Sequence, residues 1–271
     1  IGFKWWALII AVVFVISELV CVACVPERPV ACDEKPGKIS DMFKALFKND
    51  QAMTVVVSII LVYTSLNICG NLVLYFFRFD VGNEGAYSIF AAVAFAAQVL
   101  VMMVIPLLRK RFSKSQLFIS GFIIQIAGFA VILIMAFAKL YTPQSWYILC
   151  LPGILIYLGY GMLNVIMTIF LSDSVDYGEV MNGTREESVI FSMQTFTVKL
   201  ASGVAVFLAG LVVDWIHLDT AAAVQTQDTL DALRMWMTIP SVILLIVGIF
   251  VFKRFYKLDD TRMEEIKSKL N

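Results

Sequence analysis

The stretch LFISGFIIQIAGFAVILIMAFAK, residues 117–139, decides the fold class. It carries no charge before Lys139 and shows no alternation of polar and apolar residues. A helix needs roughly 20 apolar residues to cross the hydrocarbon of a bilayer. Strands of a membrane barrel are nearer 10 residues long and alternate, so this segment is not one of them. Six more blocks of the same kind accompany it, at about 3–25, 53–77, 86–108, 146–171, 189–213 and 235–253. The expected fold is therefore an all-α membrane protein of about seven transmembrane helices. The composition agrees: 60% of the 271 residues are apolar and mean hydropathy is +0.85, whereas soluble domains are about 45–50% apolar.

Composition also excludes several classes. Lys and Arg together number 21, as do Asp and Glu, so no basic excess points to nucleic acid. Cys21 and Cys24 form a CxxC, but Cys32 is the only other nearby ligand type and His217 is far away. Zinc sites take about four ligands at defined spacing, so the cysteines, with Cys69 and Cys150, read as small apolar residues and no metal or cofactor is expected. No nucleophile–base pair with a suitable His indicates a membrane enzyme. The first residue is Ile1, and the first block is long and carries Glu18, which does not fit a signal peptide. The expectation is a chain that begins inside a longer protein.

Orientation follows from Lys and Arg. Of the 21, Lys4, Arg78, Lys139 and Arg234 lie on one side and Lys199 lies within a span. The remaining sixteen fall in the connections 26–52, 109–116 and 172–188 and in the tail from Lys253. That side is expected to be cytoplasmic, with the protein in the cell inner (plasma) membrane and its C-terminus inside. The chain then divides into a transmembrane helix at 1–25, a cytoplasmic loop at 26–52, a six-helix bundle at 53–253 and a cytoplasmic tail at 254–271. Within the loop, ISDMFKALFK (39–48) places Ile39, Met42, Phe43, Leu46 and Phe47 on one helical face, the pattern of a helix lying on a membrane surface. Residues 258–270 read as a charged amphipathic helix.

Polar residues inside the spans recur every four positions. The second span has Tyr63, Asn67, Asn71 and Tyr75; the fifth has Tyr160, Asn164 and Thr168; the sixth has Thr195 and Lys199 with Gln194 beside them. Four residues turn about 400°, so each set is one stripe. Polar groups in hydrocarbon are costly and face partners or a hydrated cavity. Interhelical hydrogen bonding would account for one stripe, and three together indicate a shared cavity. Lys199 lies about ten residues into its span, too deep to snorkel easily, and needs a carboxylate, water or a polar ligand. The segment SDSVDYGEVMNGTREES (172–188) reads as a loop with Asp173, Asp176, Glu179, Glu186 and Glu187 around Arg185, and 182–184 reads as a turn.

The run SDSVDYGEVMNGTREESVIFSMQTFTVKLASG (172–203) resembles the signature of the glycoside–pentoside–hexuronide:cation symporters of the major facilitator superfamily. FKALFKNDQ (43–51), PLLRKRFSK (106–114) and FKRFYKLDD (252–260) match in order and spacing. The resemblance implies a twelve-helix fold in two halves, of which this chain corresponds to helices 6–12. It implies cation-coupled sugar symport, with a sugar or glycoside, the lipid bilayer and a missing N-terminal half as partners. The coupling cation (Na⁺, H⁺ or Li⁺) would bind mainly in that missing half. Gln194, Thr195 and Lys199 would face the sugar and cation cavity, and Asp173, Asp176 and Arg185 would form a cytoplasmic gate. Tyr63, Asn67, Asn71 and Asn164 complete the expected sugar-binding set. Where the melibiose carrier has an aromatic residue, Asn164 stands here, which argues against melibiose itself. A seven-helix receptor or retinal protein is the alternative, although Lys199 is not in the last helix.

Overall fold

The computed structural model describes residues 2–24, 47–183, 185 and 187–270. The chain forms two compact units, residues 1–39 and 40–271. The first contains α1 (Gly2–Cys24), apolar along its length. Its side chains are exposed from Lys4 to Cys24, Glu18 included. The second contains α2 (Asp50–Tyr75), α3 (Ala86–Leu108), α4 (Lys114–Phe137), α5 (Cys150–Asn182), α6 (Glu187–Trp215), α7 (Gln227–Phe255) and the short α8 (Asp260–Leu270). Among the described residues seven helices are long and apolar enough to cross a membrane, and they are the seven blocks read from the sequence.

Several helices outrun their apolar blocks because polar caps extend them. Asn49 caps α2, accepting from the Ala52 amide, and Thr226 caps α7, accepting from Thr229. Such caps satisfy amides that have no partner within the helix. At its other end α2 continues as a π-helix, Phe76–Val81, closed by Gly82 at φ 74°. The largest difference from the expectation is at 172–188. Most of that segment is not a loop but the last three turns of α5, which ends at Asn182. Burial of Asp173, Ser174 and Val175 against neighbouring helices holds this polar stretch helical. The expected turn survives as the cap, with Gly183 at φ 72°, a backbone that glycine adopts without Cβ strain. The interfacial helix expected at 39–48 lies outside the described residues except for Phe47 and Lys48, which are helical.

α2 and α5 are central. α2 packs on α5, α6 and α7, and α5 packs on α3, α4 and α8. The α4–α5 contact is the most extensive, and glycines make it so. A Cβ on Gly159 would lie 2.6 Å from the Gly121 carbonyl oxygen and 2.7 Å from the Gln125 amide nitrogen. A Cβ on Gly128 would lie 2.7 Å from the Ile156 amide nitrogen. Small residues let membrane helices approach backbone to backbone. α6 sits on α2 by a similar device, its buried face running Thr197, Ala201, Ala205 and Ala209. α2 and α7 exchange a reciprocal pair of bonds: Ser65 donates to the Ser241 carbonyl at 3.0 Å and Ser241 to the Ser65 carbonyl at 2.8 Å.

The helices alternate in direction. One end, the tail end, gathers the start of α2, the end of α3, the start of α4, the ends of α5 and α7, and α8. The far end gathers the π-helix, the 138–149 connection and the start of α7. Replacing Gly159 by Ala should lower the unfolding free energy by roughly 1–3 kcal/mol, the cost of overpacking. Gly203→Ala is the control, because a Cβ there meets nothing within 4 Å. Thermal unfolding in detergent should separate the two; equal midpoints would contradict the close seam.

Candidate functional site

Midway along the bundle, α2 and α5 bring two of the sequence stripes together. The Asn164 side-chain amide donates to the Tyr63 hydroxyl at 2.5 Å. The Tyr63 ring meets the Tyr160 ring edge-on, centroids 5.5 Å apart. Tyr63, Asn67, Asn71 and Tyr75 are all half-buried, so this face of α2 lies at the margin of the core. The α5 stripe runs from buried Tyr160 through half-buried Asn164 to exposed Thr168. Among the described residues Asn67 and Asn71 make no bond across helices. Their amides donate to the carbonyls of Tyr63 and Asn67, each at 2.7 Å.

On α6, Thr195 and Lys199 each stand two residues from buried Thr197. Two residues turn about 200°, so both side chains point away from the face that packs on α2. Both are exposed, and Gln194 at the edge is half-buried. Thr195 donates to the Phe191 carbonyl at 3.4 Å. Lys199 has no ion pair or hydrogen bond among the described residues. Among the described residues no hydrogen bond joins these three to Tyr63 or Asn164.

The expected charge network at the tail end separates into two parts. Asp173 does not join Arg185. It pairs with Lys114 at the start of α4, and both side chains are under 8% exposed. Lys114 also reaches Asp260 at 3.4 Å, and Asp260 receives Arg109 at 3.3 Å. The apolar floor beneath is Phe118, Phe170 and Phe252, with Tyr256 packed on Phe170 and Phe252. Asn49 donates to the Ser174 carbonyl at 2.7 Å, and Gln51 accepts from the Lys257 amide at 2.8 Å. Five helices and α8 are thereby tied at one end. Burial raises the Asp260 carboxyl, but Arg109 and Lys114 outweigh it and hold the group below its ordinary value. Its contribution is therefore present above the ordinary carboxylate range and lost as pH falls through the lowered value. Burial, then Asp173 and Asp260, push the Tyr256 hydroxyl up.

The second part is superficial. Arg185 reaches Asp176 at 3.1 Å, Glu179 at 2.8 Å and Glu187 at 3.2 Å, with 47% of its side chain exposed. Hydrogen bonds, that to Glu179 foremost, raise its pKa further above the ordinary value. Exposed pairs of this kind are individually weak, about 0–1 kcal/mol.

Sequence reading missed Arg109, Lys114 and Asp260 at the tail end, and Asp80, Arg234 and Tyr141 at the far end. Asp80 and Arg234 form an ion pair whose side chains are under 5% exposed. The available signal was the placement of Arg109, Lys114, Asp80 and Arg234 at the margins of apolar blocks, where a charge has to find a partner; nothing local marks Asp260 or Tyr141.

With this geometry in hand, comparison with known proteins defines the class. The chain belongs to the MFS/sugar transport protein family, whose model matches residues 2–260. It is 25% identical over 254 residues to the uncharacterized symporter YjmB of Bacillus subtilis, covering 93% of this chain and 54% of that protein. The raffinose carrier protein of Pediococcus pentosaceus is 23% identical, covering 86% of this chain and 35% of its own length. The isoprimeverose transporter of Lactiplantibacillus pentosus is 25% identical, covering 95% and 52%. The chain thus spans about half the length of the curated relatives it matches. These relatives are transporters by name, which leaves the receptor and retinal reading without support.

Lys114→Met would leave Asp173 buried without its cation. Removing one partner of a buried pair costs about 3–5 kcal/mol, so the unfolding midpoint should fall steeply, while Lys114→Met with Asp173→Leu should recover most of the loss. Calorimetry of both variants checks this. Asp260→Asn keeps Lys114 paired with Asp173 but weakens the hold on α8. Trypsin should then cut at Arg262 faster than in the parent protein, and an unchanged rate would show α8 held by Leu258, Met263 and Ile266 alone.

Proposed function

We propose that this chain supplies the C-terminal half of a symporter that carries a sugar or glycoside across the cell inner membrane, with its tail in the cytoplasm. The observation that carries the reading is the Asn164–Tyr63 hydrogen bond at mid-bundle, on a face where polar side chains line two neighbouring helices. Hydroxyl-rich ligands are held by such amides and hydroxyls, with their C–H faces against aromatic ring faces. Half-buried polar groups in hydrocarbon are otherwise costly. Family membership and the half-length match to longer transporters support a second helical half completing the cavity.

In this reading the sugar sits between the halves, and rocking of one against the other exposes it to each side in turn. Tyr63, Asn164, Gln194, Thr195 and Lys199 contribute this chain's contacts, and Asn67 and Asn71 line the same face. Lys199 finds its carboxylate in the other half, where the coupling cation, Na⁺, H⁺ or Li⁺, is also bound. Asp176, Glu179 and Glu187 around Arg185 act as a gate that opens with helix tilt, and Asp173 with Lys114 anchors the helix that bears it.

The test is uptake of labelled glycosides into vesicles. The full-length gene product should accumulate substrate down a cation gradient, and residues 1–271 alone should not. Lys199→Ala in the full-length protein should abolish accumulation with little change in unfolding midpoint, since the side chain is exposed in this bundle. Normal transport by Lys199→Leu would overturn its placement in the cavity. Arg185→Ala should slow transport more than it weakens equilibrium binding; the reverse pattern would count against a gate.

A further inference from the structure

The far end of the bundle holds a buried ionic cluster that the transport reading leaves unused. Asp80, in the π-helix that ends α2, receives two bonds from Arg234 of α7: Nη2 at 2.5 Å on one oxygen and Nε at 2.8 Å on the other. The Tyr141 hydroxyl, from the connection between α4 and α5, donates to the second oxygen at 2.6 Å. Arg234 also reaches Asp231 at 2.7 Å and lies 5.8 Å from the Phe137 ring centre at the end of α4. The Phe76 and Tyr141 rings meet edge-on at 5.5 Å. Both oxygens of the carboxylate are satisfied, and the pair is almost wholly out of solvent. A π-turn closes i to i+5 rather than i to i+4, so the residues after it are rotated relative to a continuous α-helix. Asp80 meets Arg234 in that rotated register.

Below this anchor α2 is a continuous helix that carries two features favouring a bend. The Asn67 and Asn71 amides bond to carbonyls one turn back. Those carbonyls are then shared with the helix ladder, an arrangement that favours bending. Between the two asparagines lies Gly70, where a Cβ would meet nothing within 4 Å. A helix softened in the middle and clamped at one end has a defined place to bend and a defined contact to break.

We propose that Asp80 is a positioning residue: with Arg234 and Tyr141 it latches the far half of α2, residues 71–81, and α2 bends at Gly70 when the latch opens. The latch sets the placement of Asn71 and Tyr75 relative to the Tyr63–Asn164 pair. It rests on the reading of that face as the sugar's contact surface only for its effect on transport; the bending itself needs no sugar.

Cys69 reports on the bend without a ligand, because it is buried beside Gly70. In the full-length protein, with Cys21, Cys24, Cys32 and Cys150 replaced by Ser, Cys69 is titrated with a maleimide well below the unfolding temperature. Asp80→Asn should speed labelling on the order of tenfold, the effect of losing one charge-assisted contact on a local opening, and Arg234→Lys should fall between it and the parent. Gly70→Ala, which meets no steric obstacle, should slow labelling and slow transport together. If Asp80→Asn lowers the unfolding midpoint while Cys69 labels at the parental rate, the cluster is a static strut and the proposal fails. It fails also if Gly70→Ala leaves both labelling and transport unchanged. Labelling that responds as expected in a protein that moves no sugar would uphold the latch and overturn only the transport reading.

Discussion

Inside hydrocarbon a polar group can bond only to protein, and this constraint fixes how the six-helix bundle is assembled. The reciprocal Ser65–Ser241 bonds place α2 against α7 in one register. Lys114 and Asp173 are each nearly sealed from solvent, so each requires the other. Asp80 and Arg234 repeat the arrangement at the opposite end. The bundle is thus pinned by charge at both ends, where the helices leave the apolar layer. Between them it is packed by glycine, alanine and large apolar side chains. Mid-bundle polarity is of two kinds: buried groups such as Ser65, Ser241 and Gln125, and the half-buried face that carries Tyr63 and Asn164.

That division has a mechanical meaning. Polar groups that hold this unit together are buried and paired, on α2 with its π-turn, α4, α5 and α7. Groups proposed to meet the ligand are half-buried or exposed and make few bonds within the unit. Arg185 stands between the two classes: it has three carboxylate neighbours and is close to half exposed. Pairs of this kind exchange with water readily, as the proposed gate requires. Lys114, by contrast, is placed where exchange is costly.

The spans themselves were legible, because length and apolarity suffice to mark a membrane helix. The four-residue spacing of the polar stripes was legible too, and the structure joins two of them through Asn164 and Tyr63. What sequence could not reveal was pairing at a distance. Lys114 and Asp173 are 59 residues apart and Asp80 and Arg234 are 154 apart, and no local pattern links such positions. Nearness in sequence groups Asp173 with Arg185, yet on α5 it faces α4. Polar helix ends look like loops in the sequence for a similar reason: hydropathy marks where lipid stops, while caps such as Asn49 and Gly183 mark where the helix stops.

The seating of α6 has a consequence for how such a chain diversifies. Its buried face is a narrow line of small residues against α2, and Thr195 and Lys199 are exposed on the reverse. Exchanges at those two positions disturb no packing within the bundle, so they carry little folding penalty. A lineage can therefore sample new side chains there one at a time without first acquiring compensating changes in its core. The Tyr63–Asn164 pair has no such freedom, since a change in either partner leaves the other without its bond. On the outer face of α6, then, function and not folding decides which exchanges survive.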